Sequence, residues 1–114
     1  MMEEEIKILS RLKHRNIVEF IAYFQTTRYH YYVFELCEGG ELKKILETKK
    51  LLHEFEAQKY FKQIADALTY LNLNGIVHRD LKPANIMFTS SGDLKIVDFG
   101  LSRFFSKDSE TGLM

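Results

Sequence analysis

The segment EFEAQKYFKQIADALTYLNLNG, residues 54–75, constrains the fold of this chain more than any other. Phe61, Ile64, Ala65, Leu68 and Leu71 recur at helical spacing and form one apolar stripe, and Gly75 supplies the stop. Short strand-like runs follow around Ile76-Val77, Ile86–Phe88 and Leu94–Val97, the last two joined by the turn sequence SSGD. On the N-terminal side, Met2, Ile6, Leu9 and Leu12 keep helical spacing, with acids early and Lys/Arg late. That charge order suits the helix dipole and predicts a helix ending near His14. IVEFIAYF and YHYYVFEL are rich in β-branched and aromatic residues, and the polar QTTR between them predicts an antiparallel hairpin. Gly39-Gly40 then ends the strand, and ELKKILETKK resumes a short helical pattern. The tail, SRFFSKDSETGLM, reads as a polar loop. The class is α+β, with the glycine pair dividing a strand-rich part from a helix-rich part.

The 114 residues suit one small domain, and a composition of 46% hydrophobic and 28% charged residues is ordinary for a globular chain. Sixteen basic residues balance sixteen acidic ones, which points to neither a nucleic acid nor an anionic membrane as partner. No apolar run approaches the length of a membrane span, and MMEEEIK has no signal-peptide layout. Cys37, the single cysteine, has no internal partner for a disulfide. Together these predict a soluble, cytoplasmic protein.

The chemistry concentrates in GIVHRDLKPANIMF, residues 75–88, where Asp80, Lys82 and Asn85 sit between two apolar runs together with the only proline, Pro83. Polar groups placed this way either cap a turn or carry out a reaction. A lone HRD is most often a charged loop, and a lone DFG an Asp-x-Gly turn. In order and at this spacing, however, HRDLKPAN at 78–85 followed by DFG at 98–100 resembles the catalytic core of the eukaryotic protein kinases.

That resemblance implies a partial kinase-like fold. Residues 1–33 would be a remnant of the small lobe (one helix plus hairpin), 34–41 the hinge, and 42–114 the first half of the helical large lobe. It implies ATP and Mg²⁺ as cofactors, and protein serine or threonine hydroxyls as substrate, because the lysine after HRDL marks the serine/threonine class. Asp80 would orient the hydroxyl and accept its proton, and Lys82 would reach the transferring phosphate. Asn85 and Asp98 would be the oxygen ligands of Mg²⁺. FELCEGGEL is similar to the family's hinge: Phe34 would be the gatekeeper, the backbone of Glu35 and Cys37 would bond adenine, and Glu41 would reach the ribose. Met87 falls at the apolar floor beneath the base; standing alone it would read as core.

Further positions follow the family. Glu5 matches the helix glutamate that pairs with the nucleotide-positioning lysine, although with Glu3 and Glu4 beside it a plain helix-start role stays open. Leu9, Phe20, His78 and Phe99 match four stacked apolar positions that couple the lobes, and His14 fits a His-x-Asn turn. Arg79 resembles the arginine that grips an activation-loop phosphate, and Ser102, Ser106, Ser109 and Thr111 are candidate modification sites. GGEL is similar to the calcium/calmodulin-dependent group, but Ala84 departs from that group's second glutamate, so no basic-residue preference follows.

Within these 114 residues there is no Gly-rich phosphate loop and no lysine of the VAIK type before Glu5. Transfer by this stretch alone is therefore expected to be weak. An inactive truncated kinase serving as a binding module is the competing reading.

Overall fold

The computed structural model describes residues 2–97 and 103–104. The first helix, α1, spans Met2–Arg11, with Arg11 in its last turn, and Ile8, Leu9 and Leu12 are buried. The expected hairpin forms from β1 (Phe20–Gln25) and β2 (His30–Phe34), antiparallel with Tyr23 opposite Tyr32 and Phe24 opposite Tyr31. Its inner side chains, Phe20, Tyr32 and Phe34, pack against the core. On the outer face Phe24 stacks on Tyr31 at 4.8 Å, both exposed along with Ile21 and Val33.

The glycine pair does not simply end the strand. Gly40–Glu41 form a short strand of their own, β3, which pairs with β5 (Ile86–Phe88), and β5 pairs in turn with β6 (Leu94–Ile96). Gly39 approaches the partner so closely that a Cβ there would lie 2.5 Å from the Thr89 carbonyl oxygen, which only glycine avoids. Helix α2 follows at Leu42–Lys49 and α3 at Glu54–Leu73. His53 stands at the N-cap of α3, where Glu56 accepts its backbone N–H at 3.4 Å. Gly75, in the left-handed region at φ 72°, turns the chain out of α3 into β4 (Ile76–Val77). The tail is not all loop either, since Arg103–Phe104 form β7 and pair with β4.

The buried face of α3 agrees only in part with the expected stripe, of which Leu71 is buried and Ile64 packs against the core. Gln63, Ala67 and Leu71 are buried, whereas Phe61 is 72% exposed and Leu68 is also exposed. The helix has apolar residues on two faces, and the one chosen brings Gln63 to the backbone of β6. Gln63 Oε1 accepts the Leu94 N–H at 2.9 Å and the Asn16 Nδ2–H at 2.8 Å, and Asn16 Nδ2 also donates to the Leu94 carbonyl at 2.9 Å. Around this network Ile8, Ile17, Leu71, Ile76, Leu94 and Ile96 are almost fully enclosed. Each such side chain contributes about 2 kcal/mol by leaving water. Both parts of the chain therefore share one core.

The turn after α1 is held by His14, whose Nδ1 accepts the Asn16 N–H at 3.0 Å and whose ring lies 5.0 Å from that of Tyr70. Burial lowers the His14 pKa below 6.5; Asp66 opposes this and Lys95 adds to it. As pH falls, the unfolded chain takes up this proton before the folded one does, so stability is full above pH 6.5 and declines below it. Urea unfolding at pH 7 and pH 5 is expected to show a smaller loss for His14→Asn, which keeps an acceptor but cannot titrate.

Candidate active site

The loop that follows β4 is organised by a buried imidazole. His78, 3% exposed, accepts the Asp80 N–H on Nδ1 at 3.1 Å, and its Nε2 lies 2.9 Å from the Val97 carbonyl. A backbone N–H can only donate and a carbonyl can only accept, so the two bonds together fix the neutral tautomer with the proton on Nε2. Between them Arg79 takes φ 72°, a conformation that costs a non-glycine residue on the order of 1 kcal/mol. This turn keeps the Arg79 side chain exposed and aims the backbone of Asp80 at the imidazole.

The next residues hold the Asp80 side chain. Pro83–Asn85 form a single 3₁₀ turn that buries Asn85. Asn85 Nδ2 donates to the Asp80 carbonyl at 2.8 Å and to Asp80 Oδ2 at 3.1 Å. Both bonds leave from the amide nitrogen, so holding Asp80 does not use the amide oxygen. Lys82, more than half exposed, places Nζ 3.7 Å from Asp80 Oδ1. Asp80, Lys82 and Asn85 thus converge on one point. Asp98 and Phe99 lie outside the described residues.

Beside this loop is a cavity of about 270 Å³ with mostly apolar walls, at the small end of the range for small-molecule pockets. Phe34, Glu35, Cys37 and Met87, four residues singled out in the sequence, line it together with Val18, Leu36 and Val97. The last three were not anticipated, although an apolar residue directly before DFG was a usable signal for Val97. Glu41 borders this region on β3, directly across from Met87. Burial and the neighbouring Glu35 raise the Cys37 thiol pKa, with Lys95 opposing, so the group stays protonated at neutral pH. The cavity and the loop are joined directly, because the Val97 N–H donates to the Asn85 carbonyl at 2.9 Å.

The profile of the protein kinase domain matches residues 1–114, the whole chain. The chain belongs to the protein kinase family. The Aurora/IPL1-related protein kinase 2 of Caenorhabditis elegans is 45% identical over 101 residues, covering 89% of this chain and 33% of that protein. A probable serine/threonine-protein kinase, the KIN1 homolog of Enterocytozoon bieneusi, is 41% identical over 108 residues, 95% of this chain and 18% of its own length. The CBL-interacting serine/threonine-protein kinase 9 of Arabidopsis thaliana is 40% identical over 113 residues, 99% of this chain and 25% of that protein. This kinase chain therefore spans a third or less of each of these three relatives.

Other family positions are placed as follows. Leu9 is buried on α1, Phe20 is half-buried on β1 and His78 is buried after β4. Glu5, half-buried on α1, accepts a hydrogen bond from the Tyr32 hydroxyl of β2. Burial, that bond and the Glu5 charge push the Tyr32 phenol up to about 12. Among the described residues, no helix of the kinase chain is long and apolar enough to cross a membrane, and no group of three or more His, Cys, Asp or Glu could hold a metal ion.

Proposed function

We propose that this kinase chain forms the adenine pocket and catalytic loop of a domain that transfers the γ-phosphoryl group of ATP to serine or threonine hydroxyls of proteins. The observation that carries this reading is the hydrogen bond between Val97 of the cavity and Asn85 of the loop, which fixes the apolar cavity beside a converged carboxylate, amine and amide. In this reading Asp80 orients the substrate hydroxyl and accepts its proton. Asn85 holds its backbone and one of its oxygens, while Lys82 tends the other side. The Glu35 N–H is already donated to the Glu19 carbonyl at 2.9 Å, which leaves the Glu35 carbonyl and the Cys37 backbone to meet the base. Glu41 would meet the ribose. Asn85 and Asp98 would hold Mg²⁺, which supplies charge compensation for phosphate oxygens. Arg79, exposed after a strained turn, would meet a phosphate on the segment that follows DFG.

Without a Gly-rich loop or a VAIK-type lysine, the 114 residues are expected to bind nucleotide more weakly than a whole domain and to transfer poorly. The test is thermal unfolding of the chain with ATP and Mg²⁺ against the same measurement on Asp98→Asn. A rise in Tm for the native chain that is largely lost in the variant is expected. Equal shifts, or none, would remove the metal-nucleotide reading and favour a binding module.

A further inference from the structure

We infer that Lys95 is a positioning residue for the nucleotide: its ammonium group clamps the hinge so that the backbone of Glu35 and Cys37 faces the cavity. The inference rests on the nucleotide reading above. Lys95 lies on β6, directly across from Met87, which is itself directly across from Glu41 on β3. Directly opposed residues of antiparallel strands point to the same face of a sheet, so Glu41, Met87 and Lys95 form one row, of which Met87 lines the cavity while Lys95 lines the neighbouring space with Glu19 and Glu35. From the end of that row Lys95 Nζ reaches Glu35 Oε1 at 3.0 Å. The Lys95 and Glu35 side chains are only 13% and 25% exposed, so water does little to weaken the pair.

Glu35 is tied on two further sides. Its Oε1 also accepts the Glu19 N–H at 2.8 Å, and its own N–H donates to the Glu19 carbonyl at 2.9 Å. The hinge is thus fixed to the β1 side by one backbone bond and one bond to the Glu35 carboxylate, and to β6 by charge. The β6 anchor reaches the cavity floor through Met87, directly across from Lys95. Without Lys95 the Glu35 carboxylate would face a low-dielectric surrounding with a single N–H donor, and relief would come by turning the hinge toward water. Glu35 is an adenine contact through its backbone alone, so its side chain is free for this task.

The inference predicts a loss concentrated in base recognition. Adenosine, which has no phosphate, would be titrated into the ¹⁵N-labelled 114-residue chain and followed by NMR, with Tm recorded in parallel. Lys95→Met is expected to weaken adenosine binding by about tenfold, the scale set by unpairing a largely buried charge. Lys95→Arg, which keeps the charge, and the double variant Lys95→Met/Glu35→Gln, which removes both charges, are expected to recover most of the affinity. A Lys95→Met chain that binds adenosine like the native one overturns the inference alone. So does an affinity loss that Lys95→Arg and the double variant leave unrepaired while Tm returns. A native chain whose spectrum adenosine does not change overturns the nucleotide reading, and the inference with it.

Discussion

Replacing Gln63 by leucine is expected to destabilise the chain by about 3 kcal/mol, although leucine is apolar, of similar size and on a buried helix face. Gln63 Oε1 is the acceptor for both the Leu94 N–H and one Asn16 N–H. Leu94 is fully buried and Asn16 is 3% exposed, so water cannot take the place of the lost acceptor. Leaving a buried donor unpaired costs about 1–3 kcal/mol, and here two are left at once. Leucine returns part of this through its transfer free energy. Urea unfolding would show the loss as a lower midpoint at unchanged slope. Lys62→Ala, one residue away, removes only an exposed ion pair with Asp66 and is expected to change stability by under about 0.5 kcal/mol. A Gln63→Leu chain as stable as the native one would mean that the network does not hold the two halves together.

The largest functional effect is expected at Asn85. Its amide has two tasks in the proposed reading: the nitrogen side holds Asp80, and the oxygen side would meet the cation. Asn85→Ala removes both and is expected to reduce the gain in ATP affinity on adding Mg²⁺ by about tenfold or more, a loss typical of disturbed metal sites. Adenosine binding should change little, because the cavity walls do not include this side chain. Asn85→Asp separates the two tasks. It keeps an oxygen donor but sets a second carboxylate where Asp80 Oδ2 now receives a hydrogen bond at 3.1 Å, so the two acids repel. The predicted outcome is retained or enhanced Mg²⁺ dependence together with a raised pKa for one acid of the pair. Calorimetric titrations with and without Mg²⁺ would measure it, and an alanine variant with native Mg²⁺ dependence would move the metal site elsewhere.

Much of this could be read along the chain because the signals are local. A period of 3.6 residues marked α1 and α3, β-branched and aromatic runs around QTTR marked the hairpin, and the spacing within HRDLKPAN brought Asp80, Lys82 and Asn85 into a single loop. The exposed Phe61 and the buried Gln63 went the other way. Residues 61, 64, 65, 68 and 71 make the apolar stripe that periodicity finds, and periodicity does not say which part of it meets a partner: Leu71 and Ile64 pack inward, while Phe61 and Leu68 stay exposed. The choice lay with β6, where the buried Leu94 N–H needed an acceptor that a leucine or phenylalanine could not supply. Lys95 was silent for the same reason: in a sequence it is one lysine among many, and only the strand register carries it to Glu35.

The sequence by itself determined α1, α3, the hairpin, the family and the make-up of the HRDLKPAN loop, since these depend on neighbours within a few residues. Tertiary structure decided which helix face is buried, that Gly40–Glu41 become a strand, and that Val18, Phe34, Glu35, Leu36, Cys37, Met87 and Val97 line one cavity. These depend on pairings between residues far apart in the chain. Burial and hydrogen-bond satisfaction set them, and neither has a period to read.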